Sequence, residues 1–481
     1  MNRRLFLSAS IAAALGLSAC GSSSSTNNSG GSGGSGGSGA DAVFKRPFKI
    51  PDELTGSIKN GRIQYDLTLQ TGTSQFLDNN INTPTWGING DYLGPTIRLK
   101  NGTAVDIHFQ NTLSEATTMH GHGMHLPAEM DGGVHQIIPA GQKWTSSYTV
   151  KQRASTNWYH PHMMGKTAEH VLRGLAGLII IDDNESQSLD LPKRYGVDDI
   201  PVIVQDRRFN ADGSFDYNPS RPEIMRGWKG DTYLINGVIK PYLDLEAKQI
   251  RFRILNASNS RIYKFGFTSG RSFKQIATDN SFLESPVELT ELVLSPAERA
   301  EIVVDFSADK GKTDIFKDKS GGAELFKVNI NQDATVTTKL PDYLTILPTL
   351  DASSAVNTRS FTLSGRMGQF LINGKSMDKN VINETIPVNA IEIWEVTNNM
   401  PMDHNFHIHA THFQLLERNG SFSNVALNER AYKDTVYIPP RESVKFIVKM
   451  TDYTSSTIPY MYHCHILEHE DNGMMGQFAV V

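Results

Sequence analysis

Among 481 residues only two are cysteine, Cys20 and Cys464, so no disulfide framework staples this chain. Neither sign of charge prevails. The 46 Lys and Arg against 51 Asp and Glu leave a net charge of −5, which offers no electrostatic case for nucleic-acid binding. The apolar run Leu5 to Leu17 is too short to span a bilayer as a helix, which takes about 20 residues. Histidine is missing from a long central stretch, with none between His170 and His404. What remains is a chain with 39% apolar and 20% charged residues, a composition that excludes wholesale disorder. Forty Gly and twenty-one Pro suit a loop-rich β protein, and the length holds about three average domains.

The N-terminus reads as an address. Arg3-Arg4 before Leu5 to Leu17 resembles a twin-arginine export signal, and Leu17-Ser18-Ala19-Cys20 resembles a bacterial lipobox. Residues 1–19 are therefore expected to be a signal peptide, and Cys20 the lipidated residue. Residues 20–44 follow as a flexible linker, since Gly21 to Ala40 is almost all Gly, Ser, Asn and Thr and coils over roughly 25 Å. The expectation is an exported protein, lipid-anchored on the periplasmic side of a bacterial membrane. Cys464 is then the one thiol left.

Two markers recur three times in the same order. Ile88-Asn89-Gly90, Ile235-Asn236-Gly237 and Ile372-Asn373-Gly374 each precede a strand-like run: Val105 to Asn111, Ile250 to Asn256 and Ile391 to Asn398. Pro139-Ala140-Gly141, Pro296-Ala297-Glu298 and Pro440-Arg441-Glu442 each open a further run with alternating polarity. The pattern predicts an all-β protein of three consecutive β-sandwich domains, spanning residues 45–186, 187–350 and 351–481.

Aligned on these markers, the histidines fall into register. His120-Gly121-His122 follows Asn111 at the offset by which His407-Ile408-His409 follows Asn398, and the middle unit has Phe265-Gly266-Phe267 there. His160-Pro161-His162 and His463-Cys464-His465 hold related places after the Pro markers. On a strand, side chains two apart face the same way, so four such pairs can present eight imidazoles to one space. Imidazole suits copper, zinc, iron or nickel. Cys464, lying between two such histidines, points to the opposite face, with His404, His469 and Met474 as further ligands. A His₂Cys set with a weak axial Met is a blue-copper electron-transfer site. Any one pair is usually an accident of surface or core; ten of fifteen histidines in equivalent places are not. His108, His125, His135, His170 and His412 remain as surface, core or supporting residues.

The motifs His120-Gly121-His122-Gly123, His160-Pro161-His162, His404-x-x-His407-x-His409 and His463-Cys464-His465-x-x-x-His469-x-x-x-x-Met474 resemble those of the three-domain multicopper oxidases. The resemblance covers residues 45 to 481 and is nearest the bacterial laccase-like branch that includes the periplasmic cuprous oxidase. It implies cupredoxin-like Greek-key domains and four copper ions. A type 1 copper would be held by His404, Cys464, His469 and Met474, and a type 2 copper by His120 and His407. A type 3 pair would take His122, His160 and His465 on one ion, and His162, His409 and His463 on the other. Asp131 and Glu470 match acids that supply protons near the cluster. The implied partners are O₂ and a small reducing substrate, with membrane contact through the lipid, no nucleic acid and a monomeric chain.

Members of the family oxidise phenols and aromatic amines, Cu(I) or Fe(II). The cuprous oxidases carry a methionine-rich insert over the type 1 site, whereas Leu340 to Met400 here holds only Met367, Met377 and Met400. That departure predicts a more open type 1 site and a laccase-like donor, with Cu(I) oxidation in copper tolerance as the alternative. An alternative of another class is a copper-binding or structural lipoprotein without turnover.

Overall fold

The computed structural model describes residues 43–481 except 79 and 367. The expected signal peptide, Cys20, most of the linker and Met367 lie outside the described residues. Strands account for 47% of the chain and helices for 8%, the all-β architecture expected. The strands fall into three consecutive pairs of sheets, each pair closed over its own apolar cluster.

In the first pair, Glu53–Leu54, Thr96–Lys100, Gly177–Asp182, Ser155–His160 and His120–His122 form one sheet; Ser57–Lys59, Arg62–Ser74, Ala104–Asn111 and Lys143–Thr149 run through the other. Leu67, Val105, Ile107, Phe109 and Ile179 pack between them. The middle pair spans Asp199–Arg207 to Glu324–Gln332 around Val202, Ile254, Phe265, Phe267 and Ile302. The last pair runs from Asn357–Arg366 to Met475–Val480 around Phe361, Trp394, Phe406 and Phe446. Phe265 and Phe267 are 0% and 1% exposed, so aromatic packing occupies the middle unit where the outer units carry imidazoles. Each such buried ring contributes about 2–3 kcal/mol. One boundary differs from the expected unit 45–186: Arg46–Pro47 pairs in parallel with Pro241–Glu246, capping the edge of the middle unit's sheet.

The recurring asparagines explain why the markers repeat. Asn89, Asn236 and Asn373 take φ of 54°, 48° and 52°, a left-handed turn that asparagine tolerates. Each side chain then brackets a neighbouring strand, accepting from the amides of Thr68, Ile203 and Thr362 at 2.7 Å. Asn111, Asn256 and Asn398 end their strands fully buried and latch the loop that follows. Asn256, for instance, donates to the carbonyls of Arg261 (2.8 Å) and Leu294 (3.0 Å) and accepts from the Ser258 amide (3.1 Å). Asn111 and Asn398 repeat that latch.

The second marker needs one correction. The amides of Asn111, Asn256 and Asn398 donate to the carbonyls of Gln142, Glu298 and Glu442, which makes those three equivalent. Pro296 and Pro440 therefore match Ala140, one residue later than the Pro139 alignment implies. The residue held in common is the next one, where Gly141, Ala297 and Arg441 all have φ between 66° and 75°.

Replacing Asn256 by Ala strands the carbonyls it serves in the interior. Asn256→Ala is expected to cost about 2–3 kcal/mol, read as a lower urea midpoint at unchanged slope.

Candidate metal centres

The strand His120–His122 pairs with Ser155–His160 in a register that sets His120 opposite His160. In the last unit, His404–Ile408 pairs with Ser455–His463 so that His407 faces His463. The eight paired histidines converge, and none is more than 1% exposed. His463 Nε2 lies 3.1 Å from both His162 Nε2 and His409 Nε2. His160 Nε2 lies 3.4 Å from His122 Nδ1 and 3.4 Å from His465 Nε2. These are the two trios expected from the family pattern.

His120 and His407 form a third element. Their Nδ1 atoms donate to the backbone carbonyls of Asp131 (2.8 Å) and Asp434 (2.9 Å). A nitrogen that donates to a carbonyl carries the ring proton, so each Nε2 is left as a bare lone pair. Both Nε2 atoms are buried without a hydrogen-bond partner. Unmatched buried acceptors of this kind are costly unless a cation meets them. Burial also keeps the rings neutral, in the ligating form: it lowers His162 and His463 to about 3 and His407 to about 4, and takes His122, His160, His409 and His465 well below 6.5. The donor set thus fits metal ions, and its all-imidazole chemistry fits copper.

Three acids line this space. Asp131 Oδ2 accepts from His409 Nδ1 at 2.7 Å, and its Oδ1 lies 3.4 Å from His120 Nδ1. Burial pushes its carboxyl up, but His409 and His120 outweigh that and hold it well below 3.8. Glu470 lies 3.2 Å from His463 Nδ1 and 3.5 Å from His162 Nδ1. Burial raises its carboxyl above 4.5 against the pull of His162, and neither oxygen has a hydrogen-bond partner. The third, Asp434, was missed by sequence reasoning. Its Oδ1 accepts from His122 Nε2 at 2.9 Å, crosswise to the Asp131–His409 contact. No spacing marks it; only the pairing of Thr435–Ile438 with His404–Ile408 brings it beside His407.

Just past the end of the strand Ser455–His463, the Cys464 sulfur joins a different group. Its Sγ lies 3.3 Å from His404 Nδ1 and 3.7 Å from His469 Nδ1, and those two nitrogens are 3.2 Å apart. Met474 joins them through its backbone, accepting from the Cys464 amide (3.1 Å) and donating to the His469 carbonyl (3.0 Å). Burial pushes the Cys464 thiol up to about 12 and His404 down to about 3. A thiol so buried becomes a thiolate when a metal binds, as expected of a blue-copper set. The short helix Leu467–Asp471 divides the two centres, turning His469 to the outer one and Glu470 to the inner.

The expected openness of the outer centre is not found. His404, Cys464, His469 and Met474 are all 0% exposed. Phe370 stacks on His469 at 4.3 Å, and His469 Nε2 donates to the Met225 carbonyl at 3.3 Å. Part of the cover comes from the middle unit, through the helix Arg221–Arg226, which a capping box at Ser220 starts and Gly227 (φ 77°) ends. Counting methionines within residues 340–400 misses both Phe370 and the cover supplied by another unit. His108, His125, His135, His170 and His412 join none of the candidate metal groups among the described residues.

Comparison with known proteins agrees with this geometry. Sequence profiles described as multicopper oxidase match residues 68–186 and 336–481. A multicopper oxidase of Staphylococcus haemolyticus is 37% identical over 433 residues, covering 88% of this chain and 89% of that one. The cell division protein FtsP of Xenorhabdus nematophila is 36% identical over 414 residues, covering 82% and 85%. Among solved structures, a multi-copper oxidase from Pediococcus acidilactici superposes with a TM-score of 0.84 at 35% identity, covering 91% and 93%. A laccase-like multi-copper oxidase from Ochrobactrum sp., described as having oxidase activity towards lignin model compounds, gives 0.84 at 34% identity, covering 90% and 100%.

Loss of the sulfur separates the two centres. Cys464→Ser is expected to abolish the blue absorption and remove one bound copper while the inner ions stay, by metal analysis. Met474→Leu should keep the colour and shift only the reduction potential, because an axial thioether is a weak ligand.

Proposed function

The chain belongs to the multicopper oxidase family, and on that premise we propose that it couples four one-electron oxidations of a reducing substrate to reduction of O₂ to two waters. The observation that carries this reading is the bonded continuity of Cys464 with His463 and His465. One sulfur serves the outer centre and its two flanking imidazoles serve the inner one, so the centres are joined by a short covalent path. Four copper ions, one held by His404, Cys464, His469 and Met474 and three by the eight paired histidines, supply the redox chemistry when bound.

The chain's own residues do the rest. Full burial of the eight imidazoles keeps bulk water from the space they enclose. Asp131 holds the His409 ring by accepting from its Nδ1, which leaves Nε2 to ligate. Glu470, whose carboxyl burial raises and whose oxygens are unengaged, lies beside His162 and His463, placed to relay protons into that space.

For the donor we propose laccase-like oxidation of phenols and aromatic amines. The likeness to the Ochrobactrum enzyme supports this. A donor resting on the outer face of Arg221–Arg226 would pass its electron through the Met225 carbonyl to His469. One observation favours a second reading, Cu(I) oxidation: the cover excludes direct contact of a bulky ring with His469, whereas Met225 and Met402 pack against the outer centre's apolar cluster. The likeness to FtsP, a cell division protein, leaves room for a copper-binding role without turnover. The complete ligand set supports turnover instead.

Oxygen uptake with a phenol, Cu(I) and Fe(II) as separate donors ranks these readings. Uptake with the phenol is expected; uptake with Cu(I) alone defeats the laccase reading, and a blue protein with no uptake defeats turnover. We also propose that the chain is exported as a monomer and anchored through lipid on Cys20. On that basis Cys20→Ala should release active protein into the soluble fraction of cells.

A further inference from the structure

The middle unit holds no histidine, yet one of its side chains reaches the inner centre. Arg299 begins the strand Arg299–Asp305 and is 0% exposed. Its guanidinium clamps Asp434 with two parallel bonds, Nη1 to Oδ1 and Nη2 to Oδ2, both 2.7 Å. Two further bonds reach the first unit, Nε to the Thr156 carbonyl and Nη2 to Asn157 Oδ1, both 2.8 Å, and two stay in the middle unit, to the Ala297 and Asp279 carbonyls at 3.2 Å. One cation thus joins all three units at a single point. Gly123, the residue after His122, sits against the clamp with φ of 79°. A Cβ there would meet Arg299 Nη2 and Asp434 Oδ2, each at 2.6 Å, so only glycine lets the backbone come this close.

The clamped carboxylate sets the orientation of a proposed ligand. Asp434 Oδ1 accepts from His122 Nε2 at 2.9 Å, which leaves His122 Nδ1 turned toward His160 Nε2 at 3.4 Å. The pseudo-equivalent pair behaves in the opposite sense: Asp131 accepts from His409 Nδ1 and leaves Nε2 for the cluster. Asp131 has no guanidinium on it, and its Oδ1 has no hydrogen-bond partner. The two halves of the inner centre are therefore held by different means. A bidentate arginine fixes the plane of a carboxylate as well as its position.

We propose that Arg299 is a positioning residue for the inner metal centre, fixing Asp434 and thereby selecting Nδ1 of His122 as the nitrogen offered to the ion. Occupancy of a site ligated wholly by the outer units then depends on docking of the middle one. The inference rests on the inner imidazoles being copper ligands. Wild-type protein that binds copper at the outer centre alone would overturn that reading before Arg299 is tested.

The test compares full-length copper-loaded Arg299→Met and Arg299→Lys with wild type. The readouts are copper content, blue absorption, the electron paramagnetic resonance signal of the type 2 ion, and the unfolding midpoint. Arg299→Met is expected to keep the blue absorption of the outer centre while inner copper binds roughly 10- to 100-fold more weakly, the usual cost of losing a partner behind a ligand. Arg299→Lys, which can hold one carboxylate oxygen, should recover part of the inner copper with an altered type 2 signal. Folded Arg299→Met with wild-type inner copper and an unchanged type 2 signal overturns the proposal. Should Arg299→Met fail to fold, Arg299→Lys decides. A lowered midpoint with inner copper and type 2 signal intact makes Arg299 a structural bolt only, whereas a changed signal supports positioning.

Discussion

Neutral imidazole nitrogens facing one another at 3.1 to 3.4 Å in a fully buried space are the constraint on which the rest of this molecule depends. Their lone pairs repel, and two further nitrogens in that space, Nε2 of His120 and of His407, have no hydrogen-bond partner. An apolar core would not assemble such a set, because each bare acceptor costs more buried than solvated. The arrangement makes sense when cations occupy the centre, and the surrounding hydrogen bonds prepare for them. Backbone carbonyls fix the tautomers of His120 and His407, and carboxylates fix those of His409 and His122.

The two centres part where the strand Ser455–His463 ends. His463, its last residue, and His465 stay with the inner set, while Cys464 between them joins the outer, sulfur-bearing one. The helix Leu467–Asp471 repeats the division, with His469 outside and Glu470 inside. Eight consecutive residues thus build a bridge between sites that share no ligand.

The middle unit is more than a spacer. It carries Phe265 and Phe267 where the outer units carry imidazoles and closes over an apolar core, yet it contributes to both centres from its edges. Arg299 reaches the inner one through Asp434, and Met225 covers the outer one through His469. Holding no histidine of its own, it orients and shields.

Much of this was legible in order along the chain. The repeated Ile-Asn-Gly turns and strand-ending asparagines announced three related units, because each asparagine makes the same local hydrogen bonds wherever the unit recurs. The His-x-His pairs and Cys464 announced their centres, because residues so close along the chain stay close in space, although only His120 and His122 lie together within a strand and the other pairs run past a strand's end. The one-residue shift at Pro139 escaped notice, since the shared feature there is a positive φ rather than a residue type. Asp434, Arg299 and Met225 were illegible for a different reason. Each acts on a residue far away in sequence, in a unit whose placement depends on how sheets pack against one another. Sequence by itself determined which side chains share a face and which units carry ligands; only the tertiary structure decided which carboxylate orients which ring and what covers the outer centre, because those contacts are made between units rather than within them.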